Sequence, residues 1–161
     1  MAARDLPEAA RLAGQLGYPT TEDEIAARFA GLAGSTEDYV CVAETEGSRI
    51  AGWMHLHVYR TLEGDAQVEI LGLVVDSESR RQGVGRALMA EAERWARARG
   101  VAAIRLRSNI VRAGAHAFYQ ALGFRIIKTQ HAFEKRLPTG SESSSDSTPN
   151  RLRTDSEPTR N

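Results

Sequence analysis

The stretch Val75-Asp76-Ser77-Glu78-Ser79-Arg80-Arg81-Gln82-Gly83-Val84-Gly85-Arg86 leaves a hydrophobic strand, passes two arginines and enters a long helix through two glycines. That passage suits a polyanion. The start of a helix presents unpaired backbone N–H groups and the positive end of the macrodipole. Gly83 and Gly85 remove side chains where a backbone must come close to phosphate oxygens. Arg80, Arg81 and Arg86 add charge and forked donors. Of two better-known phosphate loops, the dinucleotide fingerprint stays as a second reading with a mismatch and the P-loop is excluded. A dinucleotide fingerprint needs a third glycine where Leu88 stands, and a P-loop needs Gly-Lys-Ser/Thr. The plain alternative is an ordinary strand-turn-helix with surface arginines.

Periodicity places the other elements around this loop. Residues 7–17 and 21–33 have helical apolar spacing, with Leu12 and Leu16 on one face of the first and Ile25, Phe29 and Leu32 on the second. Pro7 suits a first helical turn, and Thr21 followed by Glu24 is a capping-box pattern. Strand-like runs follow at 39–44 and 50–59, joined by the turn EGSR, and at 66–76. Residues 83–99 read as a helix with Val84, Leu88, Ala92 and Trp95 on one stripe and Gly100 as its stop. A strand is expected at 102–108, a short helix at 113–122, and two final strands within 124–136. Meander strands, then βαβα and terminal strands, predict an α+β fold with one mixed central sheet flanked by helices.

At 161 residues the chain has the length of one domain. Lys+Arg and Asp+Glu are both 21, which argues against nucleic acid as main partner. No apolar run approaches a membrane span and the N-terminus is no signal peptide, so the expectation is a cytoplasmic protein without a membrane partner. The single cysteine, Cys41, excludes an internal disulfide and a multi-cysteine zinc site, and no metal is expected. From Pro138 onward ten of 24 residues are Ser or Thr. Such a segment cannot bury enough apolar surface to offset its ordering entropy, so 138–161 is expected to be a disordered tail behind a domain at 1–137.

The loop and its surroundings resemble the acyl-CoA site of the GCN5-related N-acetyltransferases, the GNAT superfamily. The hallmark Arg/Gln-x-x-Gly-x-Gly/Ala stands here as Arg80-x-x-Gly83-x-Gly85, behind the strand Leu73-Val74-Val75. Ser108-Asn109, Ala115-His116-Ala117-Phe118-Tyr119 and Leu122-Gly123-Phe124 match further downstream, so the resemblance spans roughly residues 5–137. In two places the chain departs from the pattern: Ser77 stands where the family often has Pro, and Arg81 where it often has Gly. Family members also usually carry a short strand before the first helix, whereas Met1 stands almost at the helix start.

The resemblance implies acetyl-CoA as acetyl donor. Its pyrophosphate would sit on the amides of Arg81, Gln82, Gly83, Val84, Gly85 and Arg86, with Arg80 beside them. Its pantetheine would pair with the backbone of Leu73, Val74 and Val75, and Asn109 would touch it as well. Tyr119 matches the family's usual general acid; a core tyrosine beside Phe118 is the alternative. Glu69 stands where several small-amine enzymes of the family carry a glutamate base. A carboxylate in an apolar strand is unusual, and burial could tune it for that role; a solvated edge or an arginine partner is the structural alternative. His55 and His57 share one strand face and read as polar pocket lining rather than a metal pair. His116, one turn before Tyr119, is a candidate to orient it. The C-terminal half is similar to aminoalkylphosphonate N-acetyltransferases, which implies a small-molecule acceptor with a primary amine and an anionic group. Another small amine, a protein or peptide amine, a non-catalytic acyl-CoA sensor and a dinucleotide-binding oxidoreductase are the competing expectations. Oligomeric state is unreadable in the sequence; dimers are common among such enzymes, which leaves a homodimer open.

Overall fold

Asp38–Glu44 (β1), Ile50–Thr61 (β2) and Gly64–Val75 (β3) form an antiparallel meander, and Ile104–Leu106 (β4) adds to β3 in parallel, in the order β1-β2-β3-β4. A computed structural model describes residues 1–137; the expected tail, 138–161, lies outside the described residues. Alternation decides which face of the meander is dry. Cys41, Met54, Leu56, Val58, Val68 and Ile70 point to one side, where helix Val84–Ala98 (α3) covers them with Leu88, Met89, Ala92 and Trp95. Asp38, His55, His57 and Glu69 point to the other side. Helix Leu6–Leu16 (α1) closes that side at one end, with Leu12 packed beside Ile50 and Val74 and with the Trp53 indole N–H donating to Ala9 O at 3.1 Å.

Local signals set the helix limits as expected. Pro7 lies in the first turn of α1, and Gly17 ends it at φ 101°. Thr21 and Glu24 form the capping box of helix Glu22–Gly31 (α2), with the Glu24 N–H donating to Thr21 Oγ1 and the Thr21 N–H to Glu24 Oε2. The apolar face of α2 is only half covered, since Ile25, Phe29 and Leu32 are all partly exposed. A last helix, Ala113–Gln120 (α4), follows β4. Among the described residues no helix is long and apolar enough to cross a membrane.

Two expectations fail at the C-terminal side. The strand expected at 102–108 is three residues long, because beyond the pair Ile70↔Leu106 the chain turns away from β3. The strands expected within 124–136 are not formed: this segment carries neither helix nor strand. A strand needs a partner edge, and so short a β4 offers almost none. Ile126, Ile127 and Phe133 consequently stay exposed, while Phe124 alone turns in, edge-on to Tyr119 with ring centroids 5.8 Å apart. At the opposite edge, among the described residues, α1 is preceded by a 3-10 turn over Ala3–Asp5, and the N-terminal ammonium donates to Val40 O of β1 at 3.1 Å.

Candidate active site

The early end of β4 opens the site. Pairing with β3 stops at Ile70, so the edge of β3 from Leu71 to Val75 faces no strand on that side. Leu71 is also the extra residue of a β-bulge, because Gly72 pairs with His55 and Ile70 with Leu56. Between the diverging strands lies a cavity of about 280 Å³ lined chiefly by Gly72, Leu73, Arg107, Asn109, Arg112 and Tyr119. Leu73, expected to face the cofactor, therefore lines it, and Val74 and Val75 continue along the same open edge. The Arg112 guanidinium donates to Leu16 O and pins the far wall to the end of α1.

The loop after β3 is held by a network of hydrogen bonds. Asp76, with 1% of its surface exposed, anchors its start. Its carboxylate accepts from Arg11 at 2.6 Å, Arg49 at 2.8 Å and the Glu78 N–H at 3.2 Å, and these bonds hold its pKa far below the ordinary carboxylate value against the cost of burial. Ser77, where the family often has Pro, uses the N–H that Pro lacks: it donates to Gln15 Oε1 at 2.9 Å. Gln82 closes the loop by donating to Glu78 O at 2.9 Å. Arg81 and Gly83 both sit in the left-handed region, at φ 62° and 87°, which explains why a glycine is common at the first position too. Gly83 supplies no side-chain cap to α3, whose first internal bond runs from the Ala87 N–H to Gly83 O. The preceding N–H groups of Val84, Gly85 and Arg86 thus face outward, as helix-start donors do. Among the described residues Arg80, Arg81 and Arg86 make no ion pair. Gly85 is glycine for a further reason, because a Cβ there would lie 3.1 Å from the Phe118 ring. Outward amides, unengaged arginines and an open strand edge fit a diphosphate followed by a strand-like amide chain.

Tyr119 lies half-buried at the cavity between Phe118 and Phe124. Burial pushes its phenol above the ordinary value, partly offset by the charge of Arg112. His116 does not orient it: the His116 ring bonds to Asn109 O at 3.0 Å. Asn109 lines the cavity, while its side chain accepts from the Val111 N–H at 3.2 Å and shapes the turn into α4. Glu69 is 9% exposed on β3, one residue before the cavity floor, and has the arginine partner that the sequence left open. Arg107 Nη2 lies 3.1 and 3.3 Å from its two oxygens. His55 and His57 each meet Asp38 Oδ1 at 3.0 Å. Burial raises the Asp38 pKa, but bonds from Ser35, His55 and His57 outweigh it and leave the carboxyl at about 2.

Sequence reading missed Arg107, Arg112, Asp38 and Asp76. Arg107 had a signal in the Arg-Leu-Arg alternation two residues before Asn109. The histidine partners of Asp38 and the arginine partners of Asp76 lie at least 17 residues away and leave no local mark.

Residues 5–124 match the Acetyltransferase (GNAT) family. Human N-acetyltransferase 8 is 35% identical over 69 residues, which are 43% of this chain; the chain spans 30% of that relative's length. A Trypanosoma brucei acetyltransferase structure is 25% identical with TM-score 0.69, covering 84% of this chain and 96% of its own. An aminoglycoside 6'-N-acetyltransferase from Acinetobacter baumannii (21% identity, TM-score 0.74, 86% and 96% covered) has the same fold. So does glucosamine-6-phosphate N-acetyltransferase from Arabidopsis thaliana (21%, 0.72, 83% and 94%). With a family match over most of its described length and a splayed sheet beside a two-glycine helix start, this chain belongs to the GNAT family of acetyltransferases.

Proposed function

We propose that the chain transfers an acetyl group from acetyl-CoA to the primary amine of a small molecule that also carries an anionic group, by direct attack in a ternary complex. One observation carries this reading. The cavity where β3 and β4 part has a phenol and two arginines in its wall, and the outward amides of α3 lie at the end of the same strand edge. Bound acetyl-CoA supplies the thioester carbonyl that the amine attacks. The amides of residues 81–86 with Arg80, Arg81 and Arg86 hold its diphosphate, and the backbone of Leu73, Val74 and Val75 pairs with its amide chain. Free N–H groups on that edge are suited to polarise a carbonyl. Glu69, buried and held by Arg107, takes the proton of the acceptor ammonium, directly or through water. Tyr119 gives its O–H proton to the leaving sulfur. A phenol of pKa above 10 is a weak acid for a thiolate whose conjugate acid lies near 8.5, so its contribution comes from placement. Arg107 and Arg112 favour an anionic group on the acceptor.

Thiol release from acetyl-CoA, followed across a panel of amines and amino acids with phosphonate or phosphate groups, tests the reading. Turnover that Glu69→Gln and Tyr119→Phe each lower about 100-fold, with coenzyme A binding retained by calorimetry, is the expected result. Binding without turnover on any amine would instead mark a non-catalytic acyl-CoA sensor, and turnover confined to peptide amines would move the acceptor class to protein.

A further inference from the structure

Every acetyl group moved to an ammonium frees one proton beyond those that product and thiol keep. The nitrogen starts with three, the amide retains one, and the sulfur takes one as the C–S bond breaks and the C–N bond forms. The third must reach solvent, yet Glu69, which would take it, is nearly enclosed. Resting on the acyl-transfer reading above, we propose that His57 is a positioning residue that accepts this proton from Glu69 and passes it to water.

The sheet register supports it. Asp38 pairs with His57 and His57 with Glu69, so the three side chains stand in one row on the face away from the α3 core. Directly opposed residues have Cβ atoms about 5 Å apart, within reach of a carboxyl and an imidazole, or of one water between them. Asp38 is held ionised and can only accept, so the His57 Nδ1 donates to it at 3.0 Å. With Nδ1 bonded to Asp38 of β1, Nε2 is the ring nitrogen left to take up a proton. The carboxylate that fixes this tautomer is in place to balance the charge once Nε2 is protonated, the arrangement of an orienting acid behind a histidine base. His57 is about one-third exposed, so the proton has an exit. His55 bonds the same Asp38 oxygen but pairs with Gly72, not Glu69, and so steadies Asp38.

Other charges around the row are engaged elsewhere or lie at its far end. Arg107 holds Glu69, and Arg105 stands opposite Glu69 in the β3–β4 register. Glu37 pairs with Arg60, the N-terminal ammonium donates to Val40 O, Glu8 and Arg11 of α1 bond each other with Arg11 also on Asp76, and Glu24 of α2 pairs with Arg28.

Two measurements decide. In ¹⁵N-resolved NMR of the ligand-free protein at neutral pH, His57 is expected as the Nδ1–H tautomer; an Nε2–H tautomer would overturn the relay whatever the activity. In turnover with the best amine, His57→Ala and Asp38→Asn should lower kcat about 10-fold or more while KM for acetyl-CoA holds. Added imidazole should restore kcat of His57→Ala in proportion to its concentration, an effect no merely structural role produces. A kcat that is unaffected by the substitution, or lowered but not raised by imidazole, removes His57 from proton transfer and leaves the acyl-transfer reading standing. No turnover of the unaltered protein on any amine removes both.

Discussion

Arg81 shows what a single backbone angle costs and what it secures. A non-glycine residue at φ 62° carries about 1 kcal/mol of strain, and glycine would relieve it. In the proposed function the same position brings a guanidinium to the diphosphate of the acetyl donor. Arg81→Gly is therefore expected to raise stability by about 1 kcal/mol in denaturant unfolding and to weaken coenzyme A binding in calorimetry. A variant that binds as tightly as the parent would remove the side chain from that role. Tyr119 gives a second expectation at this scale. Burial raises its phenol above 10, so the donor form persists through the whole range in which an amine acetyltransferase is assayed. The alkaline side of the kcat profile below pH 10 then belongs to other groups. Tyr119→Phe should lower the plateau by about 100-fold without moving its shape, whereas a change in shape near neutrality would show that Tyr119 is not the proton donor.

Between elements, Asp76 is the clamp that joins α1, the start of β2 and the loop after β3 through Arg11, Arg49 and Gln15. Its folded-state pKa is depressed, so its contribution is present above the unfolded value near 4 and is lost as pH falls through the folded one. Asp76→Asn should cost about 2 kcal/mol at pH 7. That is below the ~3–5 of a fully buried pair, because the arginines left behind reach water. The variant's melting temperature should also fall less between pH 4 and pH 2 than the parent's. Equal acid slopes would mean that another carboxyl, such as Asp38, controls acid unfolding. This clamp also marks the limit of what the sequence reveals. Caps and stops are local, so Pro7, the Thr21–Glu24 box and Gly100 placed the helices within about two residues. The glycine loop was legible for the same reason. Partners across the sheet are not local: nothing in the chain announces that Asp76 will meet Arg11, that Asp38 will meet two histidines, or that Leu71 will bulge. The unformed strands within 124–136 are the same lesson reversed, since their apolar pattern was present but the partner edge was not.

For the whole molecule, the part of the chain up to β3 and the part from α3 to α4 meet through the α3 core and three paired residues of β3 and β4, and they part at the cavity. A ligand that rests on the α3 amides and pairs along β3 bridges both parts, so its binding is linked to the stability of the complete fold. At 100 times its Kd such a ligand adds about 2.7 kcal/mol, or roughly 5–10 °C of melting temperature at this chain length. Coenzyme A is expected to give a shift of this size. Pyrophosphate alone, which reaches only the amides and the exposed arginines, should give a smaller one that fades as salt screens it. A nicotinamide dinucleotide has the diphosphate without the amide chain that matches a strand edge, so its shift should resemble pyrophosphate's. The discriminating quantity is the part of the coenzyme A shift that survives high salt, because pairing along Leu73–Val75 is backbone bonding and is screened little. If the dinucleotide stabilises as strongly as coenzyme A under those conditions, the open edge of β3 is not a ligand strand, and the two-glycine loop serves a different diphosphate.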